Sequence, residues 1–239
     1  MHRVAANGLE IGRTSPRVVG TITTRACLED FPRQRRGSCD IAEVRLDQIG
    51  EIPRWAEACR AIEAAGTPVL LTLRSVKEGG KSARTDAQSL QIFREALSCA
   101  SLLDVELSSG LAGAIKPEAD QAGKTLIISF HDFAGTPPRA ALEAIIAGGE
   151  HFAPIVKLAT MIHTDADLAV LDAVLTEPRA TLLCLIGMGA KGQITRTAYP
   201  ARGSCLTYGF LDSVVAPGQL AAAELMRRIH PAAEPSGQA

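Results

Sequence analysis

The chain has 239 residues, 46% hydrophobic and 21% charged, with a formal net charge of -1 at pH 7. That balance suits a globular core and lacks the basic excess that neutralises a phosphate backbone, which argues against nucleic acid as a partner and leaves small anions within reach of local arginines. No run approaches the roughly 18 consecutive apolar residues of a membrane span, and the first residues show no apolar leader, so a cytoplasmic protein without membrane partners is expected.

The six cysteines, Cys27, Cys39, Cys59, Cys99, Cys184 and Cys205, are scattered and form no C-x-x-C pair. They read as free thiols in a reducing compartment, and no ligand run for a metal accompanies them. The length fits one barrel domain as well as two smaller ones, and a single domain over 1–239 is the default expectation.

In chain order, Asn7-Gly8 stands between Arg3-Val-Ala-Ala6 and Leu9-Glu-Ile11, a strong short hairpin signal that predicts a cap over residues 1–14. Val18 to Ile22 reads as the first strand of the main fold, and the following Arg33-Gln-Arg-Arg36 as a solvated helix face. Seven more strand-like runs follow: Ile41 to Leu46, Val69 to Leu73, Leu102 to Leu107, Thr125 to Phe130, Ile155 to Leu158, Thr181 to Ile186 and Cys205 to Tyr208. Segments with helical spacing lie between them, such as Trp55 to Ala65 and Leu168 to Leu175. Eight strand-helix units predict a (β/α)8 TIM barrel, with an open doubly wound sheet as the alternative. The polar tail over 231–239 is expected to fray.

One strand carries a chemical anomaly. In Ile155-Val-Lys-Leu-Ala the only charge is Lys157, and an ammonium there must reach solvent, pair or lose its proton. A lysine that loses its proton attacks ketones and aldehydes to give a Schiff base, whereas a strand-end lysine in water does nothing of the kind.

Polar residues gather at the carboxyl ends of the predicted strands, where a parallel barrel builds its active site. Period-two alternation sends Glu43, Arg45 and Asp47 to one face. The next strand ends at Arg74 and runs into a flexible loop bearing Glu78; the fourth supplies Asp104 and Glu106. The fifth ends at His131, directly before the lysine strand, a placement not shared by His2, His151, His163 or His230. Gly187-Met-Gly-Ala-Lys-Gly192 matches the dinucleotide fingerprint, with Asp212 about 20 residues on. Too little chain follows for a doubly wound nucleotide domain, so this loop reads instead as an anion site using Arg196 and backbone amides.

Taken together, Glu43-Val-Arg45-Leu-Asp47, Thr72-Leu-Arg74-Ser-Val-Lys-Glu78-Gly-Gly80, Asp104-Val-Glu106, Ser129-Phe-His131-Asp-Phe133, Lys157, Gly189-Ala-Lys-Gly-Gln-Ile-Thr-Arg196 and Ala216-Pro-Gly-Gln219 resemble type I 3-dehydroquinate dehydratase over nearly the whole chain. The resemblance implies dehydration of 3-dehydroquinate to 3-dehydroshikimate in the shikimate pathway of aromatic amino acid biosynthesis, by a homodimer without metal or other cofactor. It implies an imine between Lys157 and the C3 ketone. His131 would take the C2 proton, assist imine formation and hydrolysis, and protonate the departing C1 hydroxyl, with Glu78 positioning it. Glu43 and Arg74 would bind ring hydroxyls, Arg196 the carboxylate, Gln219 the substrate from a closing loop, and Thr21 would offer a hydroxyl. Arg45, Asp47 and Asp104 would support these groups from behind. Val215 departs from relatives that carry serine there, which removes a hydroxyl contact from the closing loop. Two other readings stay open at this point, a different Schiff-base lyase or aldolase on the same barrel and a non-catalytic relative that binds pathway compounds.

Overall fold

The computed structural model describes residues 3–35, 37–50 and 52–231, so the first two residues of the expected cap, Arg36 of the basic cluster and the tail beyond residue 231 lie outside the described residues. Strands β1 (Arg3–Ala6) and β2 (Leu9–Gly12) form an antiparallel hairpin. Its turn puts Asn7 at φ 45° and Gly8 at φ 77°, the left-handed pair that matches the twist of the flanking strands. The main sheet contains β3 (Arg17–Ile22), β4 (Ile41–Arg45), β5 (Val69–Thr72), β6 (Leu102–Glu106), β7 (Thr125–Asp132), β8 (Ile155–Met161), β9 (Leu182–Met188) and β10 (Leu206–Phe210). From β3 to β9 each strand pairs parallel with the next, and β10 pairs parallel with β3, so the eight strands curl into the expected barrel.

The seam between β9 and β10 is closed in two ways. Near the strand starts, Cys205 N donates to Leu183 O at 2.8 Å and Leu185 N donates to Ser204 Oγ at 3.1 Å. Higher up, β11 (Leu220–Ala221) pairs with Gly209 and Phe210 of β10, and Gly189 N donates to Pro217 O at 3.1 Å. The loop before β11 is therefore built into the barrel wall.

Period-two alternation sorts each strand. Outward residues such as Val44, Leu71, Val105, Ile128, Val156 and Leu185 pack against the surrounding helices. Inward residues form layers. The lowest is apolar, with Val19, Ile41, Leu70, Leu102, Ile127, Ile155, Leu182 and Leu206, and the hairpin plugs it from below with Ala6 and Ile11. Above it most strands turn polar, while β9 stays apolar with Ile186 and Met188.

Helices follow most strands, including Trp55–Ala64 and Asp165–Thr176 where helical spacing predicts them. The connection after β9 differs from a regular barrel helix. It breaks into the short turns Gly189–Gly192 and Thr195–Ala198, because Gly187 and Gly192 pack backbone to backbone and Pro200 ends the second turn. This brings Arg196 down onto the barrel mouth. The solvated reading of Arg33 holds, since it is exposed beside Asp30.

Candidate active site at the carboxyl end of the barrel

Directly above the apolar plug, the inward positions are Thr21, Glu43, Thr72, Asp104, Ser129, Lys157, Cys184 and Tyr208, all buried. Adjacent strands place Thr72 beside Asp104 and Ser129 beside Lys157. So much polarity inside a barrel is costly unless each group finds a partner.

Lys157 neither reaches solvent nor sits among apolar groups alone. Its Nζ lies 3.1 Å from Asp104 Oδ2 and 4.0 Å from the centroid of the Tyr208 ring, so the buried ammonium is held by an anion and an aromatic face. Asp104 Oδ1 accepts from Ser129 Oγ at 2.6 Å and from Arg74 Nη2 at 2.8 Å. Burial alone would raise the Asp104 pKa, but Arg74 and Lys157 outweigh it and hold the carboxyl well below the usual carboxylate range. Asp104 therefore supports the lysine by direct contact from beneath the pocket wall. The Tyr208 hydroxyl is buried with no hydrogen-bond partner among the described residues, and burial pushes the phenol well above its ordinary pKa.

His131 sits two residues further along β7 than Ser129, the neighbour of Lys157. Strand rise and spacing put its Cα on the order of 8 Å from that of the lysine, close enough for both side chains to meet one small molecule. Its Nδ1 lies 2.9 Å from Glu78 Oε2, which also accepts from the His131 backbone N at 3.1 Å. Glu78 thus takes up one ring nitrogen and leaves Nε2 without a partner among the described residues. Burial, reinforced by Arg74 and Lys157, lowers the His131 pKa well below its usual value and keeps the imidazole neutral. Burial is also the main cause that pushes Glu78 up to about 7.

The loop carrying Glu78 is more ordered than the flexible segment its glycines suggest. Residues Val76–Glu78 form a 3-10 turn; Gly80 N bonds Ser75 O, Ser82 N bonds Arg74 O, and Glu78 is buried. A Cβ on Gly80 would collide with the Arg74 backbone, so that glycine serves a close approach rather than mobility.

The other expected residues gather around the same mouth. Glu43 accepts from Thr21 Oγ1 and Thr72 Oγ1, both at 2.8 Å. Gln219 Nε2 reaches Thr21 Oγ1 at 3.5 Å, while its Oε1 accepts from Val215 N at 3.1 Å. Arg74 is spread over Asp104, Glu106 and Ser129 and has Glu78 at 3.7 Å. Arg45 makes a two-pronged pair with Asp47 at 2.7 and 2.8 Å.

Asp47 corrects the alternation argument: β4 stops at Arg45, and Asp47 belongs to the short helix Leu46–Ile49. Its carboxylate nevertheless turns back to Arg45 and accepts from the backbone N of Arg74 and Lys81, which ties two strand ends together. Arg196 stands apart. It is 2% exposed, and among the described residues its guanidinium makes one hydrogen bond, from Nη1 to Tyr208 O at 3.0 Å, while its Nε has no partner. Burial pulls its pKa down to about 10, and among the described residues no carboxylate forms an ion pair with it.

Thr21, Glu43, Arg45, Arg74, Glu78, His131, Lys157, Arg196, Val215 and Gln219 all line one pocket of about 520 Å³ open to solvent. Asp47 and Asp104 lie beneath its wall. Glu106, named with Asp104 at the end of its strand, joins the network, and Thr72, Ser129 and Tyr208 complete it; these three were given no role from the sequence, and their inward parity on strands already assigned was the available signal.

The Gly187–Gly192 match serves packing. Gly192 backs onto Gly187, Gly189 adopts φ 83°, and Asp212 accepts from Thr23 and Thr24 at the start of the helix Arg25–Gln34. His163 bonds Ala134 O and His230 bonds Asp40, both away from the pocket, and His2 lies outside the described residues. The six cysteines are free and buried. Among the described residues no group of three or more His, Cys, Asp or Glu side chains is placed to hold a metal ion, and no helix is long and apolar enough to cross a membrane.

A buried amine, a neutral imidazole and an uncompensated guanidinium converging at the carboxyl end of a (β/α)8 barrel define an enzyme built for a small polar molecule. The sequence profile described as type I 3-dehydroquinase matches residues 18–230. The 3-dehydroquinate dehydratase of Methanosarcina acetivorans is 37% identical over 215 residues, covering 84% of this chain and 88% of that one. That of Methanocella arvoryzae is 32% identical over 213 residues, covering 88% and 94%. The crystal structure of 3-dehydroquinate dehydratase from Geobacillus kaustophilus matches with a TM-score of 0.83 at 25% identity, covering 95% of each chain. The chain belongs to the type I 3-dehydroquinase family.

Proposed function

We propose that this chain, a hydro-lyase of that family, dehydrates 3-dehydroquinate to 3-dehydroshikimate through an imine on Lys157. The observation that carries the reading is the convergence on a single pocket of Lys157, His131 with Nδ1 committed to Glu78, and Arg196, which has no carboxylate partner among the described residues.

A substrate carboxylate would meet Arg196, whose buried charge lacks an anion. The Lys157 amine must shed a proton before it attacks, and the neutral imidazole of His131 is the nearby base. Attack on the C3 ketone gives a carbinolamine, whose hydroxyl leaves as water with the proton returned by His131, so that a protonated imine forms and the imidazole is neutral again. The cation keeps the same unit charge beside Asp104 and Tyr208, so the groups that hold the ammonium also hold the iminium without rearranging. The electron-withdrawing imine acidifies the C2 proton, which passes to His131 Nε2. The resulting enamine expels the C1 hydroxyl, which leaves as water with the proton from His131, and hydrolysis frees the enone and Lys157. Glu78 fixes the ring, Glu43 with Thr21 and Arg74 would face the ring hydroxyls, and Gln219 would close over the substrate. Arg45 and Asp47 hold the strand ends in place.

We place the reaction in the shikimate pathway, in one barrel domain over 1–239. A cytoplasmic homodimer follows from the family likeness and is tested by sedimentation. Incubation with 3-dehydroquinate should raise the absorbance of a conjugated enone, and borohydride added with substrate should leave a covalent mass on the Lys157 peptide. Absence of both would sink the proposal.

A further inference from the structure

We propose that Ser108 is a positioning residue for the base: it acts through Glu78 to hold His131 in the tautomer whose Nε2 lone pair faces the pocket. The proposal rests on the reading of His131 as the base. Ser108 lies in the 3-10 turn Leu107–Ser109 that follows β6, and its Oγ donates to Glu78 Oε1 at 2.6 Å. The other oxygen, Oε2, receives the His131 backbone N at 3.1 Å and faces Nδ1 at 2.9 Å. The carboxylate is therefore gripped at both ends, one by Ser108 and one by the histidine. The next hydroxyl along, Ser109, is committed to Glu106 O at 2.7 Å and offers no substitute.

The chemistry turns on which partner holds the proton. An ionised Glu78 accepts from Nδ1–H and leaves Nε2 as an acceptor, the form a base requires. A protonated Glu78 donates to Nδ1 instead, which moves the ring proton to Nε2 and removes the base. Arg74, just past β5 and 3.7 Å from Glu78, favours the ionised form, while Glu106 and Asp104 from β6 oppose it. His131 in turn feels Arg74, Lys157 from β8, Asp104 and Arg45 from β4. Burial raises Glu78 to about 7, so it stands at the balance point near neutral pH, and the Ser108 hydrogen bond pulls toward the ionised form.

Ser108→Ala tests this in the full-length protein, with Ser108→Cys, near-isosteric and a weak donor, as the second variant should alanine impair folding. The acid limb of the kcat profile with 3-dehydroquinate should move up by about one pH unit in Ser108→Ala. Turnover at pH 6.5 should fall about tenfold and return to within about twofold above pH 9. Ser108→Cys should shift the limb in the same direction, and Ser108→Thr should restore it. An acid limb that stays in place in both Ala and Cys variants overturns the proposal whatever their rates. Nitrogen-15 NMR of the His131 ring in the substrate-free protein reads the tautomer without turnover: Nδ1–H in the wild type and a rise in Nε2–H in Ser108→Ala at pH 7 support the role, and an unchanged tautomer refutes it. A wild type that neither turns over nor traps 3-dehydroquinate would count against the proposed function alone, because the NMR readout stands without it.

Discussion

Asp104 places one oxygen 3.1 Å from Lys157 Nζ and the other 2.8 Å from Arg74 Nη2, so one carboxylate is the counterion of two buried cations. Asp104→Asn would leave both charges buried without it. Removing one member of such a pair costs about 3 kcal/mol or more, which for a chain of this size lowers the thermal midpoint by about 6 °C or more. Because the folded pKa of Asp104 is depressed, its contribution is present above the unfolded carboxyl value of about 3.9 and is lost as pH falls below it. The deficit of the variant relative to wild type should accordingly be full at pH 6 and narrow below about pH 4, as measured by urea unfolding. Turnover should fall about a hundredfold, since the same carboxylate faces the proposed iminium.

Glu78 and His131 give stability slopes of opposite sign. Glu78 is raised to about 7, so its contribution is full below the unfolded value of about 4.3 and is lost as pH rises toward 7. His131 is lowered, so its contribution is full above about 6.5 and is lost as pH falls below that value. Glu78→Gln removes the first slope and keeps the second. Relative to wild type, the glutamine variant should gain stability between pH 5 and pH 8 by on the order of 2 kcal/mol, read from denaturation midpoints at the two pH values. Equal differences at both would contradict the raised Glu78.

Much of this arrangement was open to reading along the chain, because strand parity is a local property. Once the eight strands are placed, Glu43, Arg74, Asp104, His131 and Lys157 must point inward near the same end. What parity does not give is partnership across the barrel. Asp104 is 53 residues from Lys157, and nothing in either strand says that the two touch. Asp47 escaped the alternation because β4 ends two residues before it. Ser108, Ser129 and Thr72 are small hydroxyl residues that also occur in turns and strands without a role, so their hydrogen bonds emerge only from the closed barrel. The glycines of Gly187–Gly192 match a dinucleotide pattern along the chain, and only the folded backbone shows Gly187 and Gly192 packed against each other.

Arg196 offers a test in which stability and activity move apart. Its guanidinium is buried with one carbonyl contact and no carboxylate among the described residues, so in the free protein it carries an uncompensated desolvation cost. Arg196→Met keeps much of the volume and removes the charge. The substrate-free variant should be as stable as wild type or up to about 2 kcal/mol more stable, while KM for 3-dehydroquinate should rise at least about a hundredfold. Thermal melts and steady-state kinetics on one preparation decide it. A large loss of stability would mean that Arg196 is a structural cation and not a reserved anion contact.

The loop that carries Gln219 is held by backbone geometry more than by side chains. Gly218 has φ 74°, and a Cβ there would run into the Gly189 carbonyl, while Gly189 N bonds Pro217 O at 3.1 Å across the seam between β9 and β10. Gly218→Ala meets both the left-handed penalty of about 1–2 kcal/mol and that collision, so the segment should lift off the 189 turn. Hydrogen exchange should quicken at Gly189 and Gln219 while the amides of β7 and β8 keep their protection, because the lower seam still closes through Cys205 and Leu183. With Gln219 displaced, KM should rise about tenfold or more, and borohydride trapping at Lys157 should still occur at saturating substrate. Loss of trapping at saturation would show instead that the loop is needed for imine formation itself.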